Sequence, residues 1–236
     1  MKRPAKLRSA GLITVGLKIV GLMVVGLAMA APAAAQTSRA RSVRSSSSSK
    51  PSIGLFGMFD YSTIASPKSF DAVFGKHTTT GPGAGIDVVN LWKGVFVRID
   101  GSQSSLTGER VVVFNGDVFK LGIPLTAKLT PLEFGAGWRF AGSGSKIAPY
   151  VGASAISLKY KETSSFADSS ENVDDTYNGF GAFGGVDVRI TKQVFAGVEG
   201  QYRSIKITPG PNSAAASFNE TDLGGIVLRV RLGIRF

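Results

Sequence analysis

The sequence predicts an all-β fold, an eight-stranded antiparallel up-and-down transmembrane β-barrel, on three observations. Its last nine residues alternate between an apolar set (Leu228, Val230, Leu232, Ile234, Phe236) and an arginine-rich set (Arg229, Arg231, Arg235). That period of two puts successive side chains on opposite faces of a strand. Alternating segments of strand length recur from Ser52 onward, separated by polar or glycine-rich stretches. The connections between them alternate strictly between short and long, as a barrel with all its short turns on one side requires.

The strands are expected at about Ser52 to Ile64, Gly83 to Leu91, Trp92 to Gln103, Thr126 to Phe140, Ile147 to Tyr160, Tyr177 to Ile190, Val194 to Ile207 and Thr221 to Phe236. They are at or beyond the roughly 9 to 11 residues that cross a membrane tilted. Leu91 to Gly94, Ala141 to Lys146 and Thr191 to Gln193 are the short turns. Ala65 to Pro82, Ser104 to Leu125, Lys161 to Thr176 and Thr208 to Glu220 are the long loops. The second long loop contains a hairpin signal, Arg110 to Phe114 and Asp117 to Leu121 around Asn115-Gly116. Counting its arms as walls gives ten strands; leaving them in the loop gives eight and preserves the alternation. No stretch of a dozen residues holds a 3.6-residue period, so helical signals are absent.

Charges fall on one face of each strand. Leu132, Phe134, Ala136, Trp138 and Phe140 oppose Glu133 and Arg139; Val194, Ala196, Val198 and Tyr202 oppose Glu199, Gln201 and Arg203. Val186, Val188 and Ile190 oppose Asp187 and Arg189, and Val95, Val97 and Ile99 oppose Arg98 and Asp100. A soluble barrel would pack the apolar face inside. The repetition of that face, with Tyr61, Trp92, Trp138, Phe140, Tyr160, Tyr202 and Phe236 near strand ends, instead fits lipid-facing walls with aromatic girdles at two interfaces. The charges then face inward as a network of Asp60, Asp87, Arg98, Asp100, Glu133, Arg139, Asp187, Arg189, Glu199, Arg203, Arg229 and Arg231. Eight strands enclose just enough room for side chains, so a paired plug is expected rather than an aqueous channel. Ile147 to Tyr160 shows no clear facing.

The other end of the chain predicts export. Lys2, Arg3, Lys6 and Arg8, the uncharged run Ile19 to Ala31 and Ala33-Ala34-Ala35 follow the basic, apolar, small order of a signal peptide ending near Ala35. Lys18 interrupts a longer apolar stretch from Ala10, and an uncleaved anchor is the alternative. Residues 36–51, with Ser45 to Ser49 in a row, read as a flexible linker; residues 52–236 are the barrel domain. The net charge of +11 belongs to the leader and linker. These two segments hold nine of the 27 cations and no acid, which leaves 18 basic against 16 acidic groups in the barrel. That near-balance gives no footprint for nucleic acid. With no cysteine in an exported chain, a disulfide-stapled scaffold is excluded.

Motifs for chemistry are thin. Gly179 to Gly184 matches GxGxxG but lies within a strand, not at a strand-to-helix turn, so it reads as close packing rather than a dinucleotide site. His77, the only histidine, is expected to be a solvated loop residue without a fixed base partner. Glu162, Asp168, Glu171, Asp174 and Asp175 crowd the third long loop without the spacing of a calcium site. No catalytic residue, cofactor or metal is expected.

In strand and loop pattern over Ser52 to Phe236, and in the terminal Leu232-Gly233-Ile234-Arg235-Phe236, the chain resembles the small outer-membrane β-barrels of the OmpA and OmpX type. The resemblance implies an outer-membrane location. It also implies recognition of Phe236, with Ile234 and Leu232 on the same face, by the barrel-assembly machinery. The peptidoglycan-binding domain of full OmpA proteins has no counterpart here. The expected partners are outer-membrane lipid and that machinery, with the protein a monomer and the loop ligand open. The expected function is non-enzymatic, a structural and surface-loop interaction role. The alternatives are a narrow conduit or binder for small hydrophobic or lipid molecules, or a lipid-modifying enzyme.

Overall fold

A computed structural model describes residues 50–140, 145–164, 166, 172–211 and 213–236. The leader and nearly all of the linker lie outside the described residues. Nine strand segments are present: β1 (Ser52–Ile64), β2 (Thr78–Val89), β3 (Val95–Ser102), β4 (Ser104–Phe114), β5 (Asp117–Arg139), β6 (Ile147–Thr163), β7 (Val173–Arg189), β8 (Val194–Ile205) and β9 (Gly225–Arg235). All pairings are antiparallel between neighbours. β3 pairs with the far half of β5, Val95 opposite Trp138, and β4 with its near half, Ser104 opposite Leu129. They are one wall strand interrupted at Gln103, whose backbone N–H donates to the Pro82 carbonyl at 3.0 Å. Eight walls therefore close the barrel, β1 against β9 at the seam from Gly54–Arg235 to Ile64–Gly225.

The eight-strand expectation holds, but the second long loop does not. Its two arms pair as the expected hairpin and are not extra walls, but they are continuous with the wall: they extend β4 and β5 beyond the barrel. Val111, Val112 and Val113 pair with Lys120, Phe119 and Val118, after a bulge between Glu109 and Val111. Asn115 and Gly116 take φ of 52° and 90°, the left-handed pair that a two-residue hairpin turn demands. Nothing in the apolar, β-branched run interrupts the ladder where the membrane ends, so pairing runs on.

Two short helices depart from the expected absence of helix. α1 (Pro67–Phe74) and α2 (Ala214–Ser217) lie in the first and last long connections. Proline in the first turn and Gly75 at φ 69° after the last punctuate α1 at both ends, and Phe70 and Phe74 meet one turn apart at 5.4 Å. Eight residues are too few for the periodicity test. Glu220 holds the helix start, accepting from the Lys68 and Ser69 N–H groups at 2.9 and 2.8 Å and from Ser69 Oγ at 2.7 Å. Ser66 Oγ donates to the Asp222 carbonyl at 2.7 Å. Phe70 is thereby seated in a buried apolar cluster with Leu106, Leu129, Ile156, Leu158 and Leu223, which roofs the barrel at its long-loop end.

Asp222 anchors this roof. Burial alone would raise its pKa, but Lys206 Nζ at 2.8 Å, the Ile205 and Gly224 N–H groups at 2.8 Å and Ser204 Oγ at 3.1 Å hold it below the ordinary carboxylate range. A depressed folded pKa contributes stability above the unfolded value that is lost as pH falls through the folded one. The expected result is that backbone amides of residues 204–206 and 222–224 lose hydrogen-exchange protection only below the usual aspartate range, near pH 4, and that Asp222→Asn shows reduced protection already at pH 7.

Candidate functional site

Alternation along each wall sends one set of side chains into the lumen, and the lumen is filled in layers. In the middle layer Arg229 of β9 reaches carboxylates on four other strands. Its Nε and Nη2 donate to the Asp60 carboxylate at 2.7 and 3.0 Å and its Nη1 to Asp100 at 2.9 Å, with Glu133 and Glu199 at 3.4 Å. Arg98 holds Glu199 through two donors and places Nε 3.0 Å from Asp100. Arg203 donates to Glu133 at 2.6 Å. Asp100 and Glu133 are direct cross-strand neighbours of like charge, an arrangement tolerated only because these guanidiniums lie between them and the rest.

Neutral donors complete the layer. Gln201 Nε2 donates to Glu133 at 2.5 Å and its Oε1 accepts from Arg203 Nε at 3.1 Å. Ser102 donates to Asp60, Ser154 to Glu133 and Tyr150 to Glu199. Every carboxylate of the layer is at most 4 % exposed; unpaired charge there would be prohibitive.

Below it, towards the short turns, Asp187 is shared by Arg139, Arg231 and Arg235, the last also donating to Asp87 at 3.2 Å. Aromatic rings fill this layer. Arg231 lies over Tyr150 at 4.6 Å, Arg235 over Phe195 at 4.3 Å and, at its upper edge, Arg98 over Phe183 at 3.7 Å. Glycines make the room. A Cβ on Gly197, between Asp187 and Arg231 in the ladder, would sit 2.5 Å from the Asp187 oxygen. One on Gly181 would meet Gln201 Nε2 at 2.8 Å. The GxGxxG stretch thus lies within β7, and two of its inward positions, Gly179 and Gly181, leave space for neighbours across the wall.

Eleven of the twelve residues expected in the interior network are brought together. The twelfth, Arg189, shares the inward parity of β7 and lies half-buried at the short-turn rim, where it has a partner of its own. Arg235 joins the lower layer. The sequence signal for Arg235 was its position in the terminal alternation beside Arg229 and Arg231. Counting these residues, the interior holds six carboxylates and six guanidiniums, but not evenly. The middle layer has four acids and three arginines, and the lower layer two acids and three arginines.

The outer face is apolar, with Phe59, Phe134, Val151, Val198, Leu228 and Leu232 each 50–60 % exposed. Trp92 packs edge-on against Trp138 at 6.2 Å near the short turns, while Tyr61 and Tyr202 lie towards the other end. Tyr160 departs from the expected girdle: it is 8 % exposed and packs inward with Ile156 and Leu158. The lumen turns apolar under the α1 roof, which is also why β6 showed no readable facing. Leu232, Ile234 and Phe236 all point outward, at 58, 42 and 68 % exposure. Phe236 is tied to the seam, its N–H donating to the Ile53 carbonyl at 2.9 Å.

His77 is not partnerless, contrary to expectation. Its Nδ1 lies 2.9 Å from Asp71, within α1. Both side chains are substantially exposed. In the third long loop Asp174 bridges Lys159 and Lys161 at 3.4 Å, Asp175 accepts from Tyr177, and Glu162 from Tyr160. Asp168 and Glu171 lie outside the described residues. Among the described residues no group of three or more potential ligands could hold a metal ion.

Among solved structures, the chain is similar to Ail, the attachment invasion locus protein of Yersinia pestis, crystallised with the heparin analogue sucrose octasulfate (12 % identity, 79 % of this chain and 98 % of that one, TM-score 0.49). It is similar also to Neisserial surface protein A (13 %, 78 % and 95 %, TM-score 0.47) and to the N-terminal β-barrel domain of OprF from Pseudomonas aeruginosa (15 %, 78 % and 97 %, TM-score 0.44). No curated protein matches the chain. Residues 21–236 match the family model of the outer membrane protein beta-barrel domain, and with its closed eight-walled barrel and apolar outer face this chain belongs to that family, a barrel of the bacterial outer membrane.

Proposed function

We propose that the protein is a non-enzymatic barrel that presents a rigid β-ribbon at the cell surface for contact with a partner polypeptide. The observation that carries this reading is the arm formed by β4 and β5. From Val111 to Leu121 its two strands pair only with each other among the described residues. Val112, Phe114, Phe119 and Leu121 are 48–65 % exposed on one face. Leu121 lies eleven residues before Leu132, where the apolar belt of β5 begins, or about 35 Å along the strand at roughly 3.3 Å per residue. Lipid therefore does not account for this apolar face. Free ladder edges beside exposed apolar side chains are the features to which an extended segment adds as a further strand. In this reading the layered lumen serves stability rather than transport, residues 1–35 are the removed leader, 36–51 are a flexible linker, and Phe236 with Ile234 and Leu232 is the assembly signal.

The test is panning of a random-peptide phage library on the purified barrel in micelles. Retained phage should be enriched in alternating β-branched and aromatic sequences. Val112→Asp with Phe119→Asp should lower retention about ten-fold, the loss of some 1.4 kcal/mol, while the heat-dependent mobility shift of the folded barrel is kept. Equal retention by the double variant overturns the reading.

A second reading, a binder of small hydrophobic molecules, has one observation in its favour. A cavity of about 630 Å³ opens at the long-loop end between Phe70 and Phe74 of α1, Val111, Leu125, Tyr160 and Glu162. Its mixed lining suits an amphiphile.

A further inference from the structure

At the short-turn end the barrel opens into a cavity of about 210 Å³ whose charged side chains are one-sided: Lys50, Arg139, Lys146, Arg189, Lys192 and Arg235 against one acidic side chain, Asp187, with the α-carboxylate of Phe236 at its edge. The buried layer behind it has the same sign. Asp187 is already shared by three arginines and Asp87 is engaged by Arg235, so this layer carries one guanidinium in excess, whereas the middle layer carries one carboxylate in excess. Low-dielectric walls focus such a field towards the opening.

The placement of the cations says what kind of anion they face. On the outer circumference at this end stand Leu91, Trp92, Phe140, Ile147, Ile190 and Phe236, each 45–68 % exposed. The lipid-facing rim is therefore apolar and aromatic, and the cations lie inside it, around the axis. Lipid phosphates ring the barrel at that rim and do not enter an axial mouth. Short turns of outer-membrane barrels face the periplasm, and the anionic material lying there along the axis is the cell wall. The cavity is too small for a folded partner and suits a carboxylate with one or two residues attached. We propose that this mouth docks the carboxylate-bearing stem peptides of peptidoglycan, through charge-assisted contacts from Lys146, Arg189 and Lys192 at the rim with Arg139 and Arg235 behind them.

The test is co-sedimentation of the full-length protein, folded in micelles, with purified peptidoglycan sacculi. The wild-type protein should pellet with sacculi. Raising salt from about 0.1 M to about 1 M shortens the screening length from about 10 to about 3 Å and should release it. Lys146→Glu, Arg189→Glu and Lys192→Glu together should lower the bound fraction about ten-fold, with the mobility shift on heating intact. If the triple variant does not fold, Lys146→Glu or Lys192→Glu alone, both in turns, should each lower it measurably. Arg39→Ala, Arg41→Ala and Arg44→Ala in the linker should leave binding in place, and phosphatidylglycerol vesicles should not compete. The proposal is overturned by no sedimentation of the wild type, by equal binding of the rim variants, by loss of binding on neutralising the linker alone, or by competition from the vesicles, which would assign the mouth to lipid.

Discussion

Arg229→Ala is expected to be the most damaging single substitution in the barrel. Arg229 is 2 % exposed and its three nitrogens contact Asp60 and Asp100 at 2.7–3.0 Å, with Glu133 and Glu199 at 3.4 Å. Removing it leaves four buried carboxylates to two guanidiniums, Arg98 and Arg203, where there had been three. Breaking a buried pair by deleting one partner costs about 3–5 kcal/mol, a large part of the roughly 5–15 kcal/mol that holds a domain together. Urea unfolding in lipid vesicles, followed by the fluorescence of Trp92 and Trp138, should show that loss, and the heat-resistant fast-migrating form should weaken with it. Arg229→Lys keeps the charge but loses the fork that bridges Asp60 to Asp100, so it should fall between wild type and Arg229→Ala. Lys120→Ala, on the exposed arm, should stay within about 0.5 kcal/mol of wild type. A loss below about 1 kcal/mol for Arg229→Ala would mean that the lumen is wet enough to solvate the stranded carboxylates.

The walls were legible in the sequence because each carries the same binary signal. Val97, Leu132, Val198 and Leu228 alternate with Arg98, Glu133, Glu199 and Arg229, and a single register fits all of them. What alternation could not report is how the lumen changes along its axis. Where it is charged, inward residues are obvious; where it turns apolar under α1, as at Ile156, Leu158 and Tyr160, both faces of β6 look alike. The same blindness left Arg235 out of the expected network. Its inward parity was visible, but only its height within β9, set by register across several pairings, brings it to Asp187. The hairpin around Asn115-Gly116 was legible in its local chemistry, a valine run and Asn-Gly. That Ser104 to Gly108 already belong to the wall, paired with Leu129 to Leu125, was not, because their polar and glycine residues read as loop. Helix α1 escaped because its stability comes from Glu220, 151 and 152 residues away from the amides it caps, rather than from its own period. His77 likewise found Asp71 through the turn of that helix.

Val198→Arg is the complementary experiment, because it tests the outer face. Val198 lies midway along the exposed positions of β8, between Val194 and Tyr202, in a row with Val186 and Val230 across the two neighbouring strands, and it is 60 % exposed. In water that exposure would make an arginine harmless. At the middle of a bilayer it is expected to cost about 2–4 kcal/mol, falling to about 0–1 kcal/mol at the interface. Val194→Arg, two outward positions nearer the short turns, should therefore be tolerated where Val198→Arg is not. Gln201→Arg separates the two faces of the same strand. It removes the acceptor for Arg203 Nε and sets a guanidinium near that of Arg203, yet it enters a layer with four carboxylates and three arginines, 2.5 Å from Glu133. The new charge is thus compensated, and the cost is one of fit against Ser154 and Gly181 rather than of desolvation. Folding free energies measured in vesicles should rank Val198→Arg as the most destabilising, Gln201→Arg next and Val194→Arg least. Equal costs at Val194 and Val198 would show no dependence on depth, and the apolar face would then not be in contact with lipid.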